Sequence, residues 1–159
     1  MDRIDRSILA ILQKDSTVPV AEIGKRVGLS TTPCWRRIQK MEEDGIIKQR
    51  VAVLDPALVG AGVTVFVSIS TNQHSKEWLT RFAEIISDFP EVVSFYRMSG
   101  QVDYLLKVVV PDIAAYDKFY QKLIARIDIS DVSSSFAMEE LKNTSILPLD
   151  YMSLAKSNS

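Results

Sequence analysis

Residues 28–56 read GLSTTPCWRRIQKMEEDGIIKQRVAVLDP, and the way this stretch folds decides the rest. Gly28 suits the left-handed residue that closes a preceding helix. Ser30 is a residue type that caps helix N-termini, and Pro33 in the first turn forfeits no hydrogen bond. Cys34, Ile38 and Met41 recur at i, i+4 and i+7, which predicts one buried helical stripe. The exposed side then carries Thr32, Arg36, Arg37 and Lys40, a short basic surface, and Gly45 ends the helix. Beyond it Ile47, Gln49, Val51 and Val53 alternate with Lys48, Arg50, Ala52 and Leu54, which predicts a strand.

Upstream, IDRSILAILQK places Ile4, Ile8, Ile11 and Leu12 on one helical face. VAEIGKRV gives a short second helix with Ile23 and Val27 inward. Three short helices with a glycine turn between the second and third describe a helix-turn-helix, and the strand after it a wing. Gly24 occupies a place where such motifs prefer alanine, at a cost of about 1 kcal/mol of helix propensity. The second helix of the motif enters the DNA major groove with its N-terminal residues nearest the bases. Ser30, Thr31, Thr32, Pro33 and Arg36 are therefore the expected base-proximal residues, since hydroxyls bond bases or phosphates and arginine binds guanine in bidentate fashion. Arg37 and Lys40 are better placed for phosphates, as are Lys48 and Arg50 on the wing. Trp35, beside the buried stripe, is either packing or a contact to the DNA backbone. Cys34 is expected as a small buried hydrophobe rather than a redox sensor.

The charge distribution agrees. The 159 residues carry a net charge of −1, yet residues 1–50 hold ten Lys/Arg against seven Asp/Glu and residues 51–159 hold nine against thirteen. Only the front half is suited to meet a polyanion. Apolar content of 47% and charged content of 25% describe a globular protein. No apolar run reaches the length needed to span a bilayer, and the start MDRIDRSILA is unlike a signal peptide, so a cytoplasmic location is expected. A single cysteine excludes an internal disulfide, and the single histidine, His74, lies in a polar loop-like stretch, so no metal site is expected.

After the turn-rich LDPALVGAG the period changes. VTVFVSIS (63–70) reads as a strand, and KEWLTRFAEIISDF as a helix with Trp78, Phe82, Ile85 and Phe89 on one face. EVVSFYRMS (91–99) and DYLLKVVV (103–110) read as strands about a turn. IAAYDKFYQKLIARI reads as a helix with Tyr116, Tyr120, Leu123 and Ile127 on one face, and 131–143 as a last strand. The order β-α-β-β-α-β is the ferredoxin-like unit, giving an α+β fold. Its helices cover one face of the sheet, but Phe66, Leu105 and Val109 make the other face apolar too. Such a sheet needs a second cover, and a second subunit's sheet is the expected one. No nucleophile–base constellation, P-loop or GxGxxG is present. Asp103 next to Tyr104, after Gly100, has the types of a catalytic pair, but the single His74 offers it little company, and polar residues in such a turn are more often a ligand edge or simply a turn.

Taken with their order and spacing, IDRSILAILQKD, VGLSTTPCWRRIQKMEEDGII, VAVLDP, SGQVDYLLKV, VPDIAAYDKFY and FAMEELKNT resemble the Lrp/AsnC, or feast/famine, family of regulators over nearly all of residues 2–149. The resemblance implies a winged helix-turn-helix joined to a ferredoxin-like ligand-sensing domain. It implies homodimers joined through their sheets and assembled into tetramers or octamers. It further implies an amino-acid effector, and no other cofactor, bound between dimers near Ser99, Gly100, Gln101, Val102, Asp103 and Tyr104, with Ser133 and Ser135 of the last strand helping to line the pocket. HSKEWLTRF, PEVVSFYRMSGQVDYLL and DVSSSFAMEELKNTSILPL are most similar to the branch that responds to cysteine and switches on its desulfidation.

The expected organisation is a winged helix-turn-helix over 1–54, a connector over 55–61, a ferredoxin-like effector and oligomerisation domain over 62–149, and a frayed tail over 150–159. The expected function is transcription regulation through double-stranded DNA, modulated by a small amino acid, without enzymatic activity and without a membrane. A sequence-indifferent architectural DNA-binding protein and a regulatory subunit of an amino-acid-metabolising enzyme are the alternatives.

Overall fold

The computed structural model describes residues 1–73 and 75–153. It divides into two units, Met1–Ala52 together with the described residues from Lys142 to 153, and Val53–Leu141. His74 and residues 154–159 lie outside the described residues.

The first unit contains α1 (Arg3–Leu12), α2 (Val20–Val27) and α3 (Thr31–Glu43). Asp2 caps α1, accepting from the Ile4 and Asp5 N–H groups, while the Asp5 carboxylate accepts from the Asp2 N–H at 2.8 Å. This reciprocal box satisfies donors that a helix start otherwise leaves open. Gly28 closes α2 with φ +75°, and the Leu29 N–H donates back to the Gly24 carbonyl at 2.8 Å. Ile8, Leu12, Ile23, Cys34, Ile38 and Met41 fill the space between the helices. Gly24 has a packing reason to be glycine. A Cβ there would lie 2.8 Å from the Leu29 carbonyl oxygen and 3.5 Å from the Cys34 Cβ. The turn between the second and third helices approaches α2 too closely for alanine.

Two expectations for this unit are corrected. Residues 46–54 form no strand. Alternation says which residues share a face, but a strand also needs a neighbour for its N–H and C=O groups, and none of the described residues supplies one. Val53 is 84% exposed. The tail is not frayed at its start. Leu149–Tyr151 form a 3₁₀ turn, and residues 142–149, expected with the second unit, pack with the first. The cause is a set of contacts to α1 that local sequence does not signal.

The second unit contains β1 (Val63–Ser70), α4 (Lys76–Ser87), β2 (Val92–Arg97), β3 (Tyr104–Val110), α5 (Ile113–Arg126) and β4 (Asp131–Phe136). The four strands form one antiparallel sheet in the order β2-β3-β1-β4, as a ferredoxin-like unit requires. Ser75 and Asp112 cap α4 and α5, accepting from Trp78 and Ala115 N–H groups. Both helices pack on one sheet face. Phe82, Ile86, Phe119 and Leu123 meet Val65, Val67, Ile69, Leu106, Val108 and Val110 in a single core. β4 stops at Phe136, short of the expected 143, because its partner ends. Phe136 is opposite Val65, the Ala137 N–H takes the Thr64 carbonyl, and β1 begins at Val63.

The opposite sheet face carries no helix. Across it run the paired rows Tyr96–Leu105–Ser68–Ser133 and Ser94–Lys107–Phe66–Ser135. Tyr96 and Phe66 are exposed, and Leu105, Lys107 and Val109 are half-buried.

Candidate nucleic-acid interface and ligand turn

A helix advances about 100° per residue, so the buried Cys34, Ile38 and Met41 fix where every other α3 side chain points. Thr32, Arg36, Lys40 and Glu43 fall on the far side. Thr31, Thr32, Pro33 and Arg36 are exposed, and Trp35 is half-exposed on the flank. Ser30 occupies the N-cap position, yet its side chain makes no capping hydrogen bond. Its hydroxyl therefore remains available to a ligand along with those of Thr31 and Thr32. Burial raises the Cys34 thiol's pKa against the opposing effect of Arg37, which keeps it an uncharged packing group.

The five expected cations separate into different roles. Arg36 and Lys48 are exposed and make no ion pair among the described residues. Lys40 pairs loosely with Asp44, one turn on, at 3.2 Å. Arg50 is held by Glu42 at 2.6 Å, which ties the middle of the unpaired segment to α3. Arg37 is tied into the fold itself. It lies only about 60° from the buried stripe, and its Nη1 donates to Asp2 Oδ2 at 2.6 Å and Asp5 Oδ1 at 2.7 Å. The two carboxylates hold its guanidinium charged. The Asp5 N–H first, and Arg37 with it, hold the Asp2 carboxyl below the usual carboxylate range, against the opposing pull of desolvation. Arg37 is thus a clamp from the recognition helix to the start of α1. The signal was available: Arg37 directly precedes buried Ile38, and two acidic residues stand at the start of α1.

In the second unit the turn between β2 and β3 is built around Asp103. Its carbonyl accepts from Met98 N–H at 2.8 Å, its N–H donates to the Ile69 carbonyl at 3.0 Å, and its Oδ2 accepts from Thr71 N–H at 2.8 Å. The first closes the turn on itself, and the other two fix it to the end of β1. Within it Gly100 has φ +124°, a conformation side chains rarely adopt, and open space surrounds its Cα. The backbone angle, not crowding, is what asks for glycine. Ser99, Gly100 and Gln101 are exposed, Val102 is half-buried, and none of their N–H groups has a partner among the described residues. Donors of this kind suit a carboxylate.

Tyr104 departs from the expectation. It is 4% exposed and sits among Trp78, Phe82 and Phe95 in the helix-covered core. Strand alternation turns it inward and its neighbour Leu105 outward. Ser133 and Ser135 are exposed on the open face, opposite Ser68 and Phe66. β1 separates them from β3, which follows the turn. Thr71 and Ser68 were missed. Thr71 is anchored from 32 residues away, beyond any local pattern. Among the described residues no group of His, Cys, Asp and Glu could hold a metal ion, and no helix is long and apolar enough to cross a membrane.

Residues 1–48 match the winged helix-turn-helix DNA-binding model, and residues 64–147 match the Lrp/AsnC ligand binding domain. The chain belongs to the Lrp/AsnC family. A crystal structure of an AsnC family transcriptional regulator from Agrobacterium tumefaciens is 71% identical, with a TM-score of 0.92 over 96% of this chain and 99% of that one. A transcriptional regulator from Neisseria meningitidis, solved as an L-Met complex, is 34% identical with a TM-score of 0.89, covering 94% of this chain and 97% of its own. DecR of Escherichia coli, a DNA-binding transcriptional activator, is 47% identical over 94% of this chain and 99% of its length. As a member of the Lrp/AsnC family, the chain is a DNA-binding transcriptional regulator with a ligand-binding domain. The expected α+β architecture, helix-turn-helix first and four-stranded antiparallel sheet after, is borne out.

Proposed function

We propose that this chain is a cytoplasmic, non-enzymatic regulator that reads a pseudo-palindromic operator with α3 of paired subunits and changes its grip when a small amino acid binds at the Ser99–Asp103 turn. The observation that carries the reading is the split among the basic residues of the DNA-binding unit. Arg36 stands free beside the hydroxyls of Ser30, Thr31 and Thr32 at the front of α3, while Arg37 is consumed internally. A free arginine one turn into a recognition helix is placed for bidentate guanine contact, and Lys48 is placed for phosphate.

Pairing follows from the open sheet face. Phe66, Tyr96, Leu105 and Val109 there leave apolar area in water, and burying one such side chain fully contributes about 1.5–3 kcal/mol. A second copy's sheet is the cover this reading assigns, with higher assembly built from such dimers. For the effector, the free N–H groups at Ser99–Val102 suit a carboxylate and the free Oδ1 of Asp103 suits an ammonium group, which together describe an amino acid. The Neisseria relative's L-Met complex supports that class, and the resemblance to the cysteine-responsive branch makes L-cysteine the first candidate.

The test is operator binding at ~0.15 M salt, using DNA flanking the chain's own gene against random-sequence competitor, with each amino acid added in turn. The expected result is specific binding shifted by one small amino acid. Equal affinity for random DNA would overturn the reading in favour of an architectural protein. Specific binding indifferent to every amino acid would remove the effector from it.

A further inference from the structure

The chain leaves its ligand-binding unit at Leu141 and re-enters the DNA-binding unit at Lys142. Two stretches of backbone therefore join the units, one at 52–53 and one at 141–142. The second stretch ends docked on α1. The Gln13 side-chain amide engages both backbone groups of Leu147: Nε2 donates to its carbonyl at 3.1 Å, and Oε1 accepts from its N–H at 3.0 Å. A carboxamide used this way imitates a neighbouring strand and reads backbone rather than side chain. Seven residues earlier, two turns along the same face of α1, Arg6 pairs with Asp150. The 3₁₀ turn Leu149–Tyr151 carries the second of these contacts, Asp150, with Leu149 and Met152 half-buried.

The other end of this stretch is also fastened. Ala137 N–H takes the Thr64 carbonyl at 2.9 Å, and Glu140 reaches 3.8 Å from Lys107 Nζ on the open sheet face. Only six residues separate Glu140 from Leu147, a reach of at most about 25 Å. A segment anchored at both ends by so short a leash cannot behave as a free tail.

We propose that the Arg6–Gln13 face of α1 is a docking surface for the chain's own C-terminal segment, and that residues 137–151 form a strap linking the state of β4 to the DNA-reading unit. This goes beyond the proposed function, which names what is bound and not how the units communicate. Coupling between sites is reciprocal, so DNA bound at α3 must also be felt at β4, whether or not any effector is present.

The experiment is amide hydrogen exchange on the full chain, with and without an operator selected by this protein from random-sequence DNA. It compares the unaltered chain with Gln13→Ala and with Leu147→Pro, which removes the donated N–H without altering α1. In the unaltered chain the Leu147 amide is expected to be protected, and operator to slow exchange across residues 131–136 by about 5-fold or more. Both variants should bind operator but lose the DNA-linked change at 131–136. The proposal is overturned if the variants keep that change, if the unaltered chain shows none, or if its Leu147 amide exchanges freely. It is also overturned if both variants lose operator binding, because the segment would then be part of the reading head's own fold. No amino acid is added, so none of these outcomes depends on whether one binds at residues 99–103.

Discussion

Replacing Arg37 with alanine separates two roles that a basic residue on a recognition helix can have. Its guanidinium lies 2.6 and 2.7 Å from the carboxylates of Asp2 and Asp5, with side-chain exposures of 33% for Arg37, 44% for Asp2 and 13% for Asp5. Exposed pairs contribute about 0–1 kcal/mol, and breaking a fully buried one costs about 3–5 kcal/mol. The geometry here lies between, and Arg37→Ala should cost about 2 kcal/mol, because it leaves Asp5 half-buried beside Asp2 with no cation. In a unit this small the melting temperature should fall by about 10 °C. The pH dependence has a definite sign. The Asp2 carboxyl is held below its ordinary value, so its contribution is present above the unfolded value of about 3.9 and is lost as pH falls through the folded one. The deficit of the variant should be widest at neutral pH and should close below pH ~4. Urea unfolding at several pH values measures this. Operator titrations across salt concentrations provide the contrast. A lost phosphate contact reduces the salt slope by about 0.9, whereas a lost clamp leaves it unchanged. Unaltered stability together with a reduced slope would refute the clamp and return Arg37 to the DNA surface.

Arg36→Ala should do the reverse, leaving unfolding within about 0.5 kcal/mol and weakening specific operator binding by about 1–3 kcal/mol, read by competition against random DNA. Gly24→Ala should destabilise by about 1–3 kcal/mol despite alanine's better helix propensity, since its Cβ would meet the Leu29 carbonyl; a more stable variant in thermal melts would contradict the close approach. Gly100→Val should cost about 1–3 kcal/mol of backbone strain and abolish amino-acid response while sparing operator binding, both read in one titration. Leu105→Lys, on the open sheet face, should shift the chain toward monomer in sedimentation at micromolar concentration, and an unchanged assembly would remove that face from the interface.

Much of this was legible from residue order. The spacing of Cys34, Ile38 and Met41 marked the inner side of α3, so Thr32 and Arg36 were correctly placed on its exposed side. The alternation in 63–70 and 104–110 identified the sheet's core. Failures occurred where a pattern states a preference but not a partner. Residues 46–54 alternate well, yet with nothing to pair against among the described residues they form no strand. Tyr104 belongs to the ligand motif by position, but pleating sends its ring into the core. Arg37 looked free because the carboxylates that capture it stand more than thirty residues earlier.

Sequence by itself determined the helices, the strands, their buried faces and the glycine-bearing turns, because periodicity, capping and φ preference act over a few residues. Family membership was readable for the same reason, since its motifs are runs of adjacent residues. Tertiary structure alone decided which charges remain for DNA, which side of the sheet lies open, what anchors the Asp103 turn and where the segment after β4 docks. Each of those depends on groups far apart in the chain meeting within hydrogen-bond distance, and only the packed fold sets those distances.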